Sequence, residues 1–305
     1  MKVCVFGAGG VGGYLGARLA EAGVEVHLIA RGEHLEAIER DGLHLESVAG
    51  DVTVEVPATD DPTEIGTCDV ILFCVKTYDT DEAAEALDPL LGADTAVISF
   101  QNGVDNEHRI DQIVGEGHAV GGVAKIFSTI SDPGVITHTG GPAQFIYGEF
   151  TGERSPRLEA FDDAITACRG VEGVLSDDIT VELWRKLAFI CAQSGMTAAT
   201  RCSIGTIRST AATWSMYRQT IEEVVDVARA RGVTLPAGTT DELVAFAESL
   251  DADMTSSLLY DLEHGNRMEL EALCGSVVRH GDETGVAVSM NEALYGVLAP
   301  WATGE

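Results

Sequence analysis

The sequence has little positive charge and almost no lysine. Its 305 residues include 19 lysines and arginines against 49 aspartates and glutamates, a formal net charge of −30, and its four lysines are Lys2, Lys76, Lys125 and Lys186. General nucleic-acid binding is excluded because it needs a net supply of positive side chains, and an anionic membrane surface is disfavoured for the same reason. Such acidity is typical of a cytoplasmic protein of a salt-loving organism, since salt screens self-repulsion. The alternative is an acidic protein of ordinary origin.

Long apolar runs and paired cysteines are missing as well. No run of about 18 apolar residues is free of charge, so no membrane span is predicted, and the N-terminus has no signal-peptide cleavage region. The seven cysteines are odd in number and have no CxxC spacing. This disfavours a disulfide framework or a metal site and predicts buried, reduced thiols. The hydrophobic fraction of 45% excludes wholesale disorder.

The first half of the sequence alternates short apolar runs with helical periodicity. Strands are predicted over residues 2–6, 24–30, 69–75 and 95–100, and helices over residues 11–22, 80–91 and 106–114. This alternation predicts a parallel, doubly wound sheet. Two further strands, residues 135–139 and 144–148, are expected to extend that sheet with antiparallel pieces.

The second half is predicted to be helical, over residues 179–200, 214–231, 240–250 and 255–283. The sequence therefore predicts an α/β fold in which a Rossmann-type, doubly wound N-terminal domain (residues 1–176) precedes an all-helical C-terminal domain (residues 177–305). Since no long linker separates the two, we expect them to pack closely, with a cleft between them.

A glycine-rich motif follows the first predicted strand. Gly7-Ala8-Gly9-Gly10-Val11-Gly12 matches GxGxxG and opens a helix, so its glycines permit the tight turn, the approach of a pyrophosphate and helix–strand packing. The second strand ends in Ala30-Arg31-Gly32 rather than in an acidic residue. Because Arg31 can pair with a 2′-phosphate, NADP(H) is favoured over NAD(H).

Polar residues also follow later strands and lie on the predicted helices. Lys76 and Asn102 each follow a strand, at the edge where an open sheet binds its ligands. Lys186 lies beside the apolar face of the helix over residues 179–200. Glu269 comes twelve residues after Ser257, near the same face of the helix predicted over residues 255–283.

Taken in order, the motifs GAGGVG, AR, VKTYD, QNG, ELWRKL and SSLLYD…ELE resemble the ketopantoate reductase family over roughly residues 1–298. The resemblance implies a Rossmann domain, a helical domain and NADPH-dependent reduction of 2-dehydropantoate (ketopantoate) to pantoate, on the route to pantothenate and coenzyme A. The partner it implies is a small 2-keto acid, and it allows a monomer or a homodimer.

The resemblance also assigns roles to individual residues. Lys186 falls on the catalytic lysine, which would act as general acid, and Glu269 falls on a glutamate near both cofactor and substrate. Asn102 falls on an asparagine that touches both ligands, and Ser257 on a substrate-binding serine. The cofactor contacts it implies are Gly7, Ala8, Gly9, Gly10, Val11, Gly12, Arg31, Lys76, Asn102, Ser128 and Glu269; Ser194 joins the substrate contacts.

The sequence departs from the family where some members carry asparagines four and eight residues after the lysine. Ile190 and Ser194 stand there, and Ile204 replaces a further asparagine, while Gln193 and Thr197 are candidates to restore polar contacts. These changes bear on which 2-keto acid is the substrate, because a pocket that hydrogen-bonds a hydroxyl discriminates strongly through those partners. Three alternatives stay open: a relative reducing another 2-keto acid, a β-hydroxyacid dehydrogenase, and a non-catalytic NADP-binding sensor.

Overall fold

The computed structural model describes residues 1–304, which divide into two compact units. The first unit contains Met1–Gln101 and Asn106–Ile179, and the second contains Asn102–Asp105 and the chain from Thr180 onward. The four residues after Gln101 thus belong to the second unit, although the chain on both sides of them belongs to the first. Among the described residues, no helix is long and apolar enough to cross a bilayer.

The first unit is built on an eight-stranded sheet. Its elements are β1 (Lys2–Phe6), α1 (Gly10–Glu21), β2 (Glu25–Ile29), α2 (Gly32–Asp41), β3 (Leu43–Ser47), β4 (Val52–Val54), β5 (Ala58–Thr59), β6 (Val70–Phe73), α3 (Thr80–Glu85), β7 (Ala96–Ser99), α4 (Asn106–Val114), β8 (Ala119–Lys125), β9 (Ser128–Asp132), β10 (Val135–His138), β11 (Gln144–Gly148), α5 (Pro156–Thr166) and β12 (Glu172–Leu175). The strand order is β12-β11-β8-β7-β6-β1-β2-β5. Every pair from β5 to β8 is parallel.

This arrangement confirms the predicted α/β fold with a doubly wound sheet. The central strands are buried on both faces, since Val3 and Val5 belong to one core cluster while Cys4 and Phe6 belong to the cluster on the other side. A strand covered on both faces has a continuous apolar sequence, which explains why it could be recognised. None of the seven cysteines, all within residues 1–304, forms a disulfide bond.

A second, smaller sheet corrects one part of the prediction. Residues 144–148 do extend the main sheet, antiparallel to β8, but residues 135–138 do not. They form β10 in a separate sheet of order β4-β3-β10-β9. The reason is that the side chain of Ile136 is fully buried and packs against Gly13 of α1, which draws β10 away from the main sheet.

The second unit is helical, as predicted. Its helices are α6 (Ile179–Thr200), α7 (Ile204–Ser209), α8 (Ala211–Ala230), α9 (Thr239–Ser249), α10 (Ser257–Glu263), α11 (Cys274–Thr284) and α12 (Ser289–Leu298). The α6 bounds coincide with the predicted ones, although its first residue is grouped with the first unit. The apolar side of α6 lies in the helical core, where Leu187 and Cys191 are fully buried.

The single helix predicted over residues 255–283 is wrong. The chain leaves the helical conformation after α10, where Gly265 has a φ of +65°, a left-handed geometry that ends helices. Glu269 therefore lies outside any α-helix, just before the short turn of 3-10 helix at Leu270–Ala272. Ser257 and Glu269 therefore do not share a helix face, contrary to the prediction.

Candidate functional site

The turn after β1 requires glycine for different reasons at different positions. Gly7 has a φ of +103°, and a Cβ there would lie 3.0 Å from the backbone of Cys74 and Val75. A Cβ on Gly12 would press into the carbonyl oxygen of Gly7. At Gly9, in contrast, no described atom outside the adjoining backbone lies within 4 Å of the Cβ position. The backbone at Gly9 is therefore open to a ligand.

Helix α1 begins directly behind this turn, with Gly9 as its N-cap. Because the N-cap residue is a glycine, it has no side chain to cap the helix, and the first N–H groups and the positive end of the helix dipole are directed at the loop. The side chain of Ala8 is buried and that of Val11 packs against the core. The groups that this loop offers to a ligand are therefore those of its backbone. These features fit the diphosphate of a dinucleotide.

Ser128 lies against the same loop. A Cβ on Gly10 would overlap the carbonyl group of Ser128, the first residue of β9, and would lie 3.0 Å from Cα of Thr129. Glycine at position 10 thus lets the start of β9 approach α1. Sequence alone could not predict this contact, because Ser128 follows Gly10 by more than a hundred residues.

Arg31 and Lys76 follow β2 and β6, the two strands that flank β1. Arg31 is the N-cap of α2, its side chain is 67% exposed, and its guanidinium lies 4.0 Å from Oε1 of Glu82. Lys76 is half-buried and precedes a short turn of 3-10 helix. The carboxyl ends of parallel strands meet at one edge of a sheet, so both residues lie at the same edge as the glycine turn.

Gln101 supports this edge, a role that the sequence analysis missed. Its carboxamide nitrogen donates to the carbonyl oxygen of Val75 at 3.0 Å and to the hydroxyl of Thr80 at 2.9 Å. The side chain is buried and fixes the segment that contains Lys76. The signal was available, because Gln101 belongs to the QNG motif.

The second unit brings Asn102 and Glu269 together. Nδ2 of Asn102 donates to Oε2 of Glu269 at 3.3 Å, and Glu269 is buried while Asn102 is half-buried. Both residues are predicted site residues, but they belong to motifs 167 positions apart. A buried carboxylate paired with a carboxamide can orient a polar ligand.

Asp105 links the segment that contains Asn102 to α11. One carboxylate oxygen lies 2.8 Å from Nε2 of His280, and the other accepts from Arg279 at 3.0 Å, both residues being on α11. Burial by itself raises the pKa of Asp105, but the hydrogen bond from His280 and the charge of Arg279 hold it below its usual value. Asp105 is a second residue that the sequence analysis missed.

Helix α6 contains Lys186 and also Ile190 and Ser194, which stand where some family members carry asparagines. Lys186 is half-buried between the buried Leu183 and Leu187. One and two turns further on, Ile190 is partly buried and Ser194 is 6% exposed. Ile204, in contrast, is fully buried in the helical core.

Gln193 and Thr197, the candidates to restore polar contacts, form hydrogen bonds within the second unit. Gln193 donates to the carbonyl oxygen of Thr255 at 3.1 Å and accepts from the hydroxyl of Tyr217 at 3.2 Å. Thr197 lies 2.7 Å from Oγ of Ser256, whose side chain caps α10. The polar groups of both residues are therefore hydrogen-bonded within the protein. These bonds hold the start of α10, where Ser257 is exposed.

Two family models cover most of the chain. Residues 3–152 match "Ketopantoate reductase PanE/ApbA", and residues 178–301 match the C-terminal model of the same family. A 2-dehydropantoate 2-reductase of Mesorhizobium japonicum is 32% identical, with 92% of this chain and 91% of that protein covered. The uncharacterized oxidoreductase YkpB of Bacillus subtilis is 30% identical, with 98% of each covered.

The fold agrees with these matches. A crystal structure of the PanE/ApbA family ketopantoate reductase from Ralstonia eutropha JMP134 superposes with a TM-score of 0.91 at 34% identity, covering 99% of this chain and 98% of that one. The family models, the relatives and this structure all span nearly the whole chain. The chain therefore belongs to the ketopantoate reductase PanE/ApbA family and is an oxidoreductase.

Proposed function

We propose that the protein reduces 2-dehydropantoate to pantoate with NADPH. The observation that carries the proposal is the hydrogen bond between Asn102 and the buried Glu269, in a chain whose family models are those of ketopantoate reductase. The relatives named 2-dehydropantoate 2-reductase support the same reaction. In this proposal residues 1–176 bind the cofactor, and residues 177–305 bind the substrate together with Asn102.

NADP(H) is the proposed cofactor, held by the backbone from Gly7 to Gly12 and by Ser128. The open space at Gly9 and the glycine N-cap of α1, which has no side chain to cap the helix, support a bound diphosphate. Arg31 and Lys76 would hold the 2′-phosphate, since both are cationic and follow the strands next to β1. When bound, NADPH supplies a hydride to the ketone carbon.

Lys186 is the proposed general acid. Negative charge develops on the carbonyl oxygen as the ketone is reduced, and a protonated Lys186 would stabilise that charge and donate its proton there. Asn102, Ser194 and Ser257 are the proposed donors to the substrate. Glu269 would orient Asn102 through their hydrogen bond and accept from a substrate hydroxyl.

A second candidate function is reduction of a different 2-keto acid. Ile190 favours it, because a partly buried isoleucine cannot hydrogen-bond a substrate hydroxyl, and a pocket discriminates strongly through such bonds. A panel of 2-keto acids with and without a 4-hydroxyl, followed at 340 nm with NADPH and NADH, tests both candidates. The proposal expects the highest kcat/KM with 2-dehydropantoate and NADPH.

A further inference from the structure

His34, in the first turn of α2, joins two separate segments of the first unit. Nε2 of its ring lies 2.9 Å from the carbonyl oxygen of Ala8, and its Nδ1 accepts from the backbone N–H of Gly134 at 3.0 Å. Because the carbonyl of Ala8 can only accept, Nε2 must carry the proton and donate. The two contacts thus require a neutral ring with one defined tautomer.

The environment keeps the ring neutral. Burial lowers the pKa of His34, and the hydrogen bond to Ala8 offsets that effect only in part. At pH 7 the ring therefore has one donor and one acceptor, as its two partners demand. A cationic ring would place two N–H donors there, one of them against the N–H of Gly134.

Ala8 is the residue immediately before Gly9, where the backbone is open. A trans peptide is planar, with its C=O and N–H pointing in opposite directions, and the described chain has no cis peptide bond. Fixing the carbonyl of Ala8 on the His34 side therefore turns the N–H of Gly9 to the opposite side. Apart from the adjoining backbone, no described atom lies within 4 Å of a Cβ built at Gly9.

The other partner of His34 lies in the turn between β9 and β10. A Cβ on Gly134 would lie 2.9 Å from Cβ of Ala37, so this turn is seated closely on α2. The same hairpin begins at Ser128, which covers Gly10. His34 thus ties the glycine turn to the hairpin that lies against it.

We propose that His34 is a positioning residue for dinucleotide binding: it orients the Ala8–Gly9 peptide so that the N–H of Gly9 faces the diphosphate. The inference rests on the proposed function for the identity of the ligand. It assigns His34 no contact with the substrate. Loss of the hydrogen bond to Ala8 should therefore affect the cofactor and leave the keto acid unaffected.

Two amide substitutions separate the two contacts of His34. His34→Gln can place an amide nitrogen near the position of Nε2 and keep the bond to Ala8, whereas His34→Asn reaches only the position of Nδ1 and keeps the bond to Gly134. Matched substitutions at His108, an exposed residue of α4 that pairs with Gln112, are the control. Each variant is titrated with NADPH by fluorescence, its KM values are measured, and its Tm is recorded.

We expect His34→Asn to weaken NADPH binding about tenfold, which corresponds to the loss of one well-aligned hydrogen bond. Its KM for NADPH should rise in parallel, while kcat at saturating NADPH and the KM for the keto acid stay within about twofold. His34→Gln should bind NADPH within about threefold of the wild type, and the His108 variants should be unchanged.

Equal NADPH affinity in His34→Asn and the wild type would overturn the inference, and so would equal losses in the Asn and Gln variants. If His34→Asn fails to fold, a Gln variant that binds NADPH ten times more weakly than the wild type still overturns it. The proposed function is judged separately, on the wild type. A wild type that binds NADPH but reduces no 2-keto acid contradicts that function and leaves the comparison of dissociation constants intact.

Discussion

The side-chain amide of Asn102 donates to the carboxylate of Glu269 at 3.3 Å. Asn102 lies three residues after the end of β7, and Glu269 lies in the loop after α10. Both residues belong to the second unit, so their hydrogen bond joins the segment Asn102–Asp105 to the loop after α10. This pair is the centre of the proposed catalytic site.

Neutralising the carboxylate of this pair should reduce turnover. We expect Glu269→Gln to lower kcat with 2-dehydropantoate about 10- to 100-fold, because a charge-assisted hydrogen bond becomes a weaker neutral one. The Kd for NADPH should change much less. Glu263→Gln, an exposed carboxylate at the end of α10, is the matched control and should retain full activity. Glu269→Gln with wild-type kcat would exclude a role for the pair.

Asp105 should stabilise the protein only above the pH at which it protonates. Its folded pKa lies below the usual value of 3.8, so the unfolded chain takes up the proton first, and stability falls as pH drops through this range. We expect Asp105→Asn to cost about 1 kcal/mol at pH 7 and to flatten the pH dependence of Tm below pH 4. An unchanged slope in the variant would contradict this account.

The exposed ion pair between Arg31 and Glu82 should compete with the 2′-phosphate. Removing the competing carboxylate frees Arg31, so we expect Glu82→Gln to strengthen NADPH binding about two- to threefold, with little effect on NADH. Arg31→Ala should weaken NADPH binding at least about tenfold and leave NADH nearly unchanged. Equal effects on both cofactors would show that Arg31 does not read the phosphate.

The charge of −30 predicts stabilisation by salt. Raising KCl from 0.1 to 2 M shortens the Debye length from about 10 Å to a few ångströms and screens the self-repulsion. We expect Tm to rise by about 10 °C or more over this range, measured by differential scanning fluorimetry. A Tm that stays constant or falls would contradict salt adaptation.

The elements that could be predicted are those whose signals are local. The glycine turn, the doubly buried strands and the apolar face of α6 each carry a short sequence pattern. The small sheet was missed, because β4 has only three residues and β10 pairs with β3, a strand far from it in sequence. The long predicted helix was wrong because Gly265 interrupts an otherwise helical pattern.

In the site, too, local motifs could be predicted from the sequence and tertiary contacts could not. Motifs identified Asn102 and Glu269, but the hydrogen bond between them depends on the tertiary fold. Asp105, Gln101 and His34 act through partners distant in sequence, and nothing in their local sequence announces those partners. Of the four lysines, Lys2 donates from its ammonium group to the carbonyl oxygen of Ile65, a structural contact that its local sequence did not indicate.

The central claim is tested most directly by single-turnover reduction of 2-dehydropantoate, followed by NADPH absorbance at 340 nm in molar KCl, for the wild type and Lys186→Ala. The account predicts rapid oxidation of NADPH by the wild type. It predicts a rate at least about 100-fold lower in Lys186→Ala, with NADPH affinity nearly unchanged. No oxidation of bound NADPH by the wild type would contradict the proposed reaction, and a fully active Lys186→Ala would contradict the assignment of its general acid.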